Sequence, residues 1–94
     1  MRLRFYIDPE TGEPHIYKHR VSEAEVEEVL GSAGEDRLGR DGSRIAMGRT
    51  LSGRLLRVIY VPDPQPDSYF VITAYELQGK AALAYRRRGR KKQR

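Results

Sequence analysis

Apolar and polar residues alternate from the first positions of the chain, with Leu3, Phe5 and Ile7 interleaved among Arg2, Arg4 and Tyr6. This period of two predicts a strand with one face on a core. Asp8-Pro9-Glu10-Thr11-Gly12-Glu13-Pro14 ends it, since two prolines and a glycine do not sustain a ladder, and the turn leads into His15 to Arg20. Ser22-Glu23-Ala24-Glu25 has the form of a capping box, in which the Ser22 hydroxyl accepts from the Glu25 amide and the Glu25 carboxylate accepts from the Ser22 amide. Val21 and Val26 stand at the two positions of a hydrophobic staple. Ala24, Val26, Val29 and Leu30 supply a buried stripe, Glu23, Glu27 and Glu28 face water, and Gly31 is expected to adopt a left-handed conformation at the end. A helix is predicted from Glu23 to Leu30.

Glycine and charge dominate from Gly34 to Ser43, which reads as a loop. Three strand-like runs follow: Arg44 to Arg49, Arg54 to Val61 and Tyr69 to Tyr75. Thr50-Leu51-Ser52-Gly53 joins the first two at hairpin spacing. Between the second and third, Pro62, Pro64 and Pro66 stiffen a hairpin tip. Gln78-Gly79-Lys80 breaks the strand period, and Ala81 to Tyr85 has helix propensity that merges into a basic end. Strand, helix, loop, three consecutive strands and helix argue an α+β domain: a small antiparallel sheet of about four strands, helices on one face and the other side open to a ligand.

Composition sharpens this picture in two ways. The 94 residues suit one domain with a small core, and the absence of cysteine excludes disulfides, thiolate metal sites and a cysteine nucleophile. No apolar run approaches the ~20 residues of a membrane span, and the first residues lack a signal-peptide core, so a cytoplasmic protein is expected. Eighteen Lys and Arg against thirteen Asp and Glu give a net charge of +5, yet Arg86, Arg87, Arg88, Arg90, Lys91, Lys92 and Arg94 supply seven of the cations. Without them the chain carries eleven cations against thirteen carboxylates. The expected organisation is a domain over residues 1–85 and a basic tail over residues 86–94, the tail contacting phosphates without sequence preference.

Lys18-His19-Arg20-Val21-Ser22 with Glu25, then Ile45 to Thr50, Gly53 to Tyr60 and Val71-Ile72-Thr73-Ala74, resemble in that order the BrnT-like toxins and a related group of uncharacterised toxin-like bacterial domains. The resemblance extends from about Arg4 to Tyr75. It implies a RelE-like ribonuclease fold, an endoribonuclease activity of the type II toxin–antitoxin kind, and a cognate antitoxin that neutralises it. BrnT-like sequences usually have Gly where this chain has Arg20, and a basic residue where it has Tyr75. The tyrosine version is closer to the uncharacterised group.

Metal-independent RNA cleavage needs a base for the 2′-hydroxyl, an acid for the leaving 5′-oxygen, and cations for the charge that develops on phosphorus oxygens. His15 and His19 are the residues whose type suits proton transfer near neutral pH. Their spacing of four is also that of metal ligands on a helix, but no third ligand is evident, so neither a metal nor a cofactor is expected. His19, within the Lys-His motif, is the candidate, against a role as a hydrogen-bonding residue near the helix start. His15 lies outside the motif and reads as a surface or strand-edge residue. Arg49, Arg54 and Arg57 offer guanidinium forks for phosphate. Arg57 shares a face with Leu55, Ile59 and Val61, so it needs either an anionic ligand or a partner such as Glu76 or an Asp. Arg49 and Arg54 flank the turn, where solvated cations are common.

Tyr60, Tyr69, Tyr75 and Tyr85 could stack on bases from an exposed sheet or lie partly in the core. Tyr75, read as sharing a face with Tyr69 and Thr73, is the one singled out. The expected catalytic set is His19, Arg49, Arg57 and Tyr75, with Arg54, Arg86, Arg87, Arg88, Arg90, Lys91 and Lys92 binding RNA, either mRNA or ribosome-associated. The competing expectations are a non-catalytic RNA- or ribosome-binding module that works through the basic tail, and an inactivated interaction domain of the same fold.

Overall fold

A computed structural model describes residues 1–92, with side chains described as far as Gly89. In chain order the elements are β1 (Arg2–Phe5), a 3-10 helix (His15–His19), α1 (Glu23–Gly31), β2 (Glu35–Leu38), β3 (Arg44–Arg49), β4 (Leu55–Pro62), β5 (Ser68–Glu76) and α2 (Gly79–Lys92). They form an α+β domain around one five-stranded sheet of order β1-β5-β4-β3-β2. Three antiparallel pairings link β2 to β5, and β1 lies parallel to β5 with Leu3 opposite Tyr69 and Phe5 opposite Val71.

The sheet corrects two expectations. A fifth strand, β2, occupies the segment read as loop, pairing Asp36 with Ala46 and Leu38 with Arg44. Its residues Glu-Asp-Arg-Leu have no strand-like composition, so the ladder offered by β3 outweighs weak local propensity at the edge of the sheet. The parallel β1–β5 pair follows from the route of the chain, which crosses from β1 through α1 to the far edge and returns by successive hairpins.

Ser22 caps α1 through both bonds of the expected box: its hydroxyl accepts from the Glu25 amide at 3.1 Å, and its amide donates to the Glu25 carboxylate at 3.0 Å. The helix runs one residue further than expected, through Gly31 to a cap at Ser32, and Gly31 has no positive φ. Val26 and Val29 of α1, with Ile16 and Val21, bury against Ala46, Leu56, Val58, Tyr60, Val71 and Ala74 on one face of the sheet. Gly48 lies on that face too, where a Cβ would sit 3.3 Å from the Ala33 backbone.

The second helix takes the other side, so the helices do not share one face. Met47 and Leu55, adjacent in sequence to residues of opposite facing, form a separate cluster with Leu77 and Ala82, joined by Ile45 and Tyr85. Tyr85 packs its hydroxyl into the space left by the missing side chain of Gly34, and Arg88 pairs with Glu35 of β2. α2 is continuous from Gly79 to Lys92, so the basic segment that begins at Arg86 continues the same helix. No described helix is long and apolar enough to cross a membrane.

Candidate functional site

The register of β4 and β5 sets Arg57 directly opposite Tyr75. Both point to the face that α2 crosses, next to Met47, so that face is partly covered and the pair is half-buried. The Arg57 Nη1 donates to the Tyr75 hydroxyl at 3.2 Å, and the guanidinium carbon lies 5.9 Å from the ring centre. Because the phenolic oxygen accepts from Arg57, its own proton is free for another acceptor. Arg57 Nε and Thr73 Oγ1 are buried and have no hydrogen-bond partner among the described residues. Arg57 and Thr73 stand at diagonal positions on one face, since Ile59 is opposite Thr73.

The edge of the sheet brings a third group to this pair. Beyond Phe5 the chain leaves β5 after Tyr6 donates to the Val71 carbonyl at 2.9 Å, and the 3-10 helix fills the uncovered edge. His19, exposed at the end of that helix, packs its ring 5.8 Å from the Tyr75 ring. His15 follows at 5.4 Å from His19, and Tyr6 at 6.1 Å from His15. Three of the four expected catalytic residues, His19, Arg57 and Tyr75, thus form one contiguous cluster.

The fourth does not join it. Arg49 faces the same way as Arg57 but is exposed at the β3–β4 turn, where its Nη1 donates to the Gly53 carbonyl at 3.1 Å. Arg54 is engaged elsewhere: it bonds Glu25 at 2.8 Å, Glu76 at 3.3 Å and the Arg20 carbonyl at 2.9 Å. This arrangement ties the start of β4 to α1 and raises the Arg54 pKa, chiefly through Glu25. Glu76 lies in the Leu56 row, on the face opposite Arg57, which is why it pairs with Arg54 and cannot neutralise Arg57.

Tyr60, Tyr69 and Tyr85 take core or helix positions. Tyr60 is buried, and burial followed by its bond to Asp36 pushes its phenol up to about 12. Tyr69 is not on the face of Tyr75 and Thr73: a bulge between the Thr73 and Val71 pairings inserts Ile72, shifts the alternation, and turns Tyr69 onto Tyr60 at 5.4 Å. Tyr85 is held by α2 over the Met47 cluster.

Among the basic residues of α2, Arg86 and Arg87 are exposed and have no ion pair among the described residues, while Arg88 is held by Glu35. The side chains of Arg90, Lys91 and Lys92, and all of Arg94, lie outside the described residues. Thr73 and Asp8 are the polar groups that sequence reasoning did not single out. The position of Thr73 follows from alternation with Tyr75, whereas Asp8, 3.2 Å from His15 Nδ1, is brought beside the histidines only by the fold of its loop. Among the described residues no group of three or more His, Asp or Glu could hold a metal ion. No protein-family model, curated protein or solved structure matches this chain.

Proposed function

We propose that this protein is a metal-independent endoribonuclease of the type II toxin kind, with a RelE-like fold related to the BrnT-like toxins, acting on RNA in the cytoplasm and neutralised by a cognate antitoxin. The observation that carries the reading is the unneutralised charge of Arg57. A half-buried guanidinium beside apolar neighbours, bonded to a neutral phenol and lacking a carboxylate partner among the described residues, calls for an anionic ligand. A phosphodiester suits it, because the guanidinium fork neutralises non-bridging oxygens and keeps its own proton.

The roles follow from the cluster. His19 removes the proton of the 2′-hydroxyl, whose oxygen attacks phosphorus. Arg57 holds the charge that builds on the phosphorus oxygens. Tyr75, its oxygen already accepting from Arg57, gives its proton to the departing 5′-oxygen as the P–O5′ bond breaks. The products are a 2′,3′-cyclic phosphate and a 5′-hydroxyl. Arg49, one position along the same face, serves the flanking phosphate, and exposed Arg86 and Arg87 add salt-sensitive attraction.

The test is cleavage of a single-stranded RNA by the purified protein in the presence of EDTA. Cyclic-phosphate products are expected, with losses of about 10²–10³-fold for Arg57→Ala and about 10²–10⁴-fold for His19→Ala, both with RNA binding retained. Exposed Arg86 and Arg87 specifically favour a second reading, a non-catalytic RNA-binding module. Binding that depends on those two residues alone, without cleavage, would decide for it.

A further inference from the structure

The connection between β1 and the 3-10 helix closes on one buried carboxylate. Asp8 is 4% exposed. Its Oδ1 accepts from the Glu10 amide at 2.9 Å, while its Oδ2 takes Lys18 Nζ at 2.7 Å and His15 Nδ1 at 3.2 Å. Lys18, then the Glu10 amide, hold the Asp8 carboxyl down at about 2 in spite of its burial, and His15 adds to the effect. At neutral pH this carboxylate is ionised and can only accept. The hydrogen in its contact with His15 must therefore sit on Nδ1, which leaves the lone pair of the neutral ring on Nε2.

His15 is fixed on two further sides. Its ring lies between Tyr6, at 6.1 Å, and His19, at 5.4 Å with an interplanar angle of 70°. His19 in turn is flanked by His15 on one side and Tyr75 on the other. An exposed imidazole at the end of a one-turn helix would otherwise sample several rotamers, and a proton-transfer group loses rate when its orientation is not held. Lys18 neutralises part of the Asp8 charge and is itself 3.6 Å from Glu10.

We propose that Asp8 and His15 are positioning residues for His19: Asp8 fixes His15 in the Nδ1–H tautomer, and His15 holds the His19 imidazole toward Tyr75 and Arg57. This deepens the ribonuclease reading and rests on it for its catalytic consequence, though not for its geometry. The motif that singled out His19 did not include His15. Asp8 meets His15 because a bridge between Ile7 and Pro14, with the Asp8 amide bonded to the Glu13 carbonyl at 2.9 Å, folds the loop back on itself.

The experiment combines imidazole nitrogen NMR with cleavage kinetics on wild type, His15→Ala and Asp8→Asn. In the wild type at neutral pH, His15 is expected to show the Nδ1–H tautomer, and His19 ring protons to show contacts to the Tyr75 ring. His15→Ala, which leaves the Lys18 and Glu10 bonds to Asp8 intact, should weaken the His19–Tyr75 contacts and lower kcat by about 10–100-fold with little change in KM. Asp8→Asn should remove the tautomer preference of His15. An Nε2–H tautomer in the wild type, or His19–Tyr75 contacts unchanged in His15→Ala, would overturn the proposal. The spectra decide this even for a protein that cleaves no RNA, so failure of the ribonuclease reading is seen separately, in the wild-type cleavage assay.

Discussion

Arg57 and Tyr75 meet across β4 and β5, guanidinium to phenol at 3.2 Å, and no carboxylate among the described residues shares the pair. The reason is parity. Glu76, the nearest acidic residue in sequence to Tyr75, points through the sheet to the α1 side and is taken by Arg54. By contrast Arg4, Arg37, Arg44, Arg54 and Arg88 each have an acidic partner. Half-burial without neutralisation separates Arg57 from these and from the exposed arginines.

The backbone at Arg20 suits a glycine better than the arginine it carries. It caps the 3-10 helix at φ 57° and ψ 39°, the left-handed region. A side chain there costs roughly 1–2 kcal/mol, part of which glycine returns through its freer unfolded chain. Arg20→Gly should stabilise the fold by up to about 1 kcal/mol, or roughly 4–8 °C in Tm. Thermal unfolding followed by circular dichroism checks this, and an unchanged or lowered Tm would count against it. The carbonyl that accepts from Arg54 is untouched by the change.

Acid should unfold the protein through its bonded carboxylates. Lys18 and the Glu10 amide hold Asp8 at about 2, against an ordinary value of 3.8. Burial pushes Glu25 up, but the Ser22 amide and Arg54 outweigh it, so Glu25 too lies below its ordinary value; Arg4 and Ser68 lower Asp63. These groups remain ionised in the folded state where the unfolded chain is already protonated. The unfolded state therefore binds more protons, and stability falls as the pH falls. The contribution of Asp8 is complete above about pH 4 and fades toward about pH 2. Urea midpoints measured from pH 7 to pH 2 should decline most steeply in that range, and Asp8→Asn should flatten the decline.

Much of the fold was legible because its signals are local. The capping box of Ser22 and Glu25, the strands around Arg57 and Tyr75, and the proline-stiffened tip at Pro62 to Asp67 all declare themselves within a few residues. What stayed hidden is non-local. β2 is a strand because β3 offers it a ladder, and its own charged residues say little. The inserted Ile72 moved Tyr69 to the other face, since one extra residue reverses every alternation beyond it. The propensity of Ala81 to Tyr85 announces a helix but not the face it covers. Likewise Asp8 and His15, seven residues apart, meet only because the loop between them folds back.

The basic face of α2 should contribute attraction without specificity. Replacing Arg86 and Arg87 with serine should weaken binding to single-stranded RNAs of any sequence to a similar extent. The slope of log K against log salt should become shallower by about 0.7 per arginine removed. Fluorescence anisotropy at several salt concentrations measures this. Loss confined to one sequence would contradict a backbone contact, as would an unchanged slope.

The most direct measurement observes Arg57 while an uncleavable anion binds. A short oligonucleotide lacking the 2′-hydroxyl, titrated into isotope-labelled protein, can be followed at the Arg57 Nε–H resonance, a buried group with no partner among the described residues. The expected result is a saturable shift of that resonance together with the rings of Tyr75 and His19, abolished by Arg57→Gln. Shifts confined to Arg86, Arg87 and their neighbours on α2, with Arg57 unmoved at saturation, would contradict a phosphate site at the Arg57–Tyr75 pair.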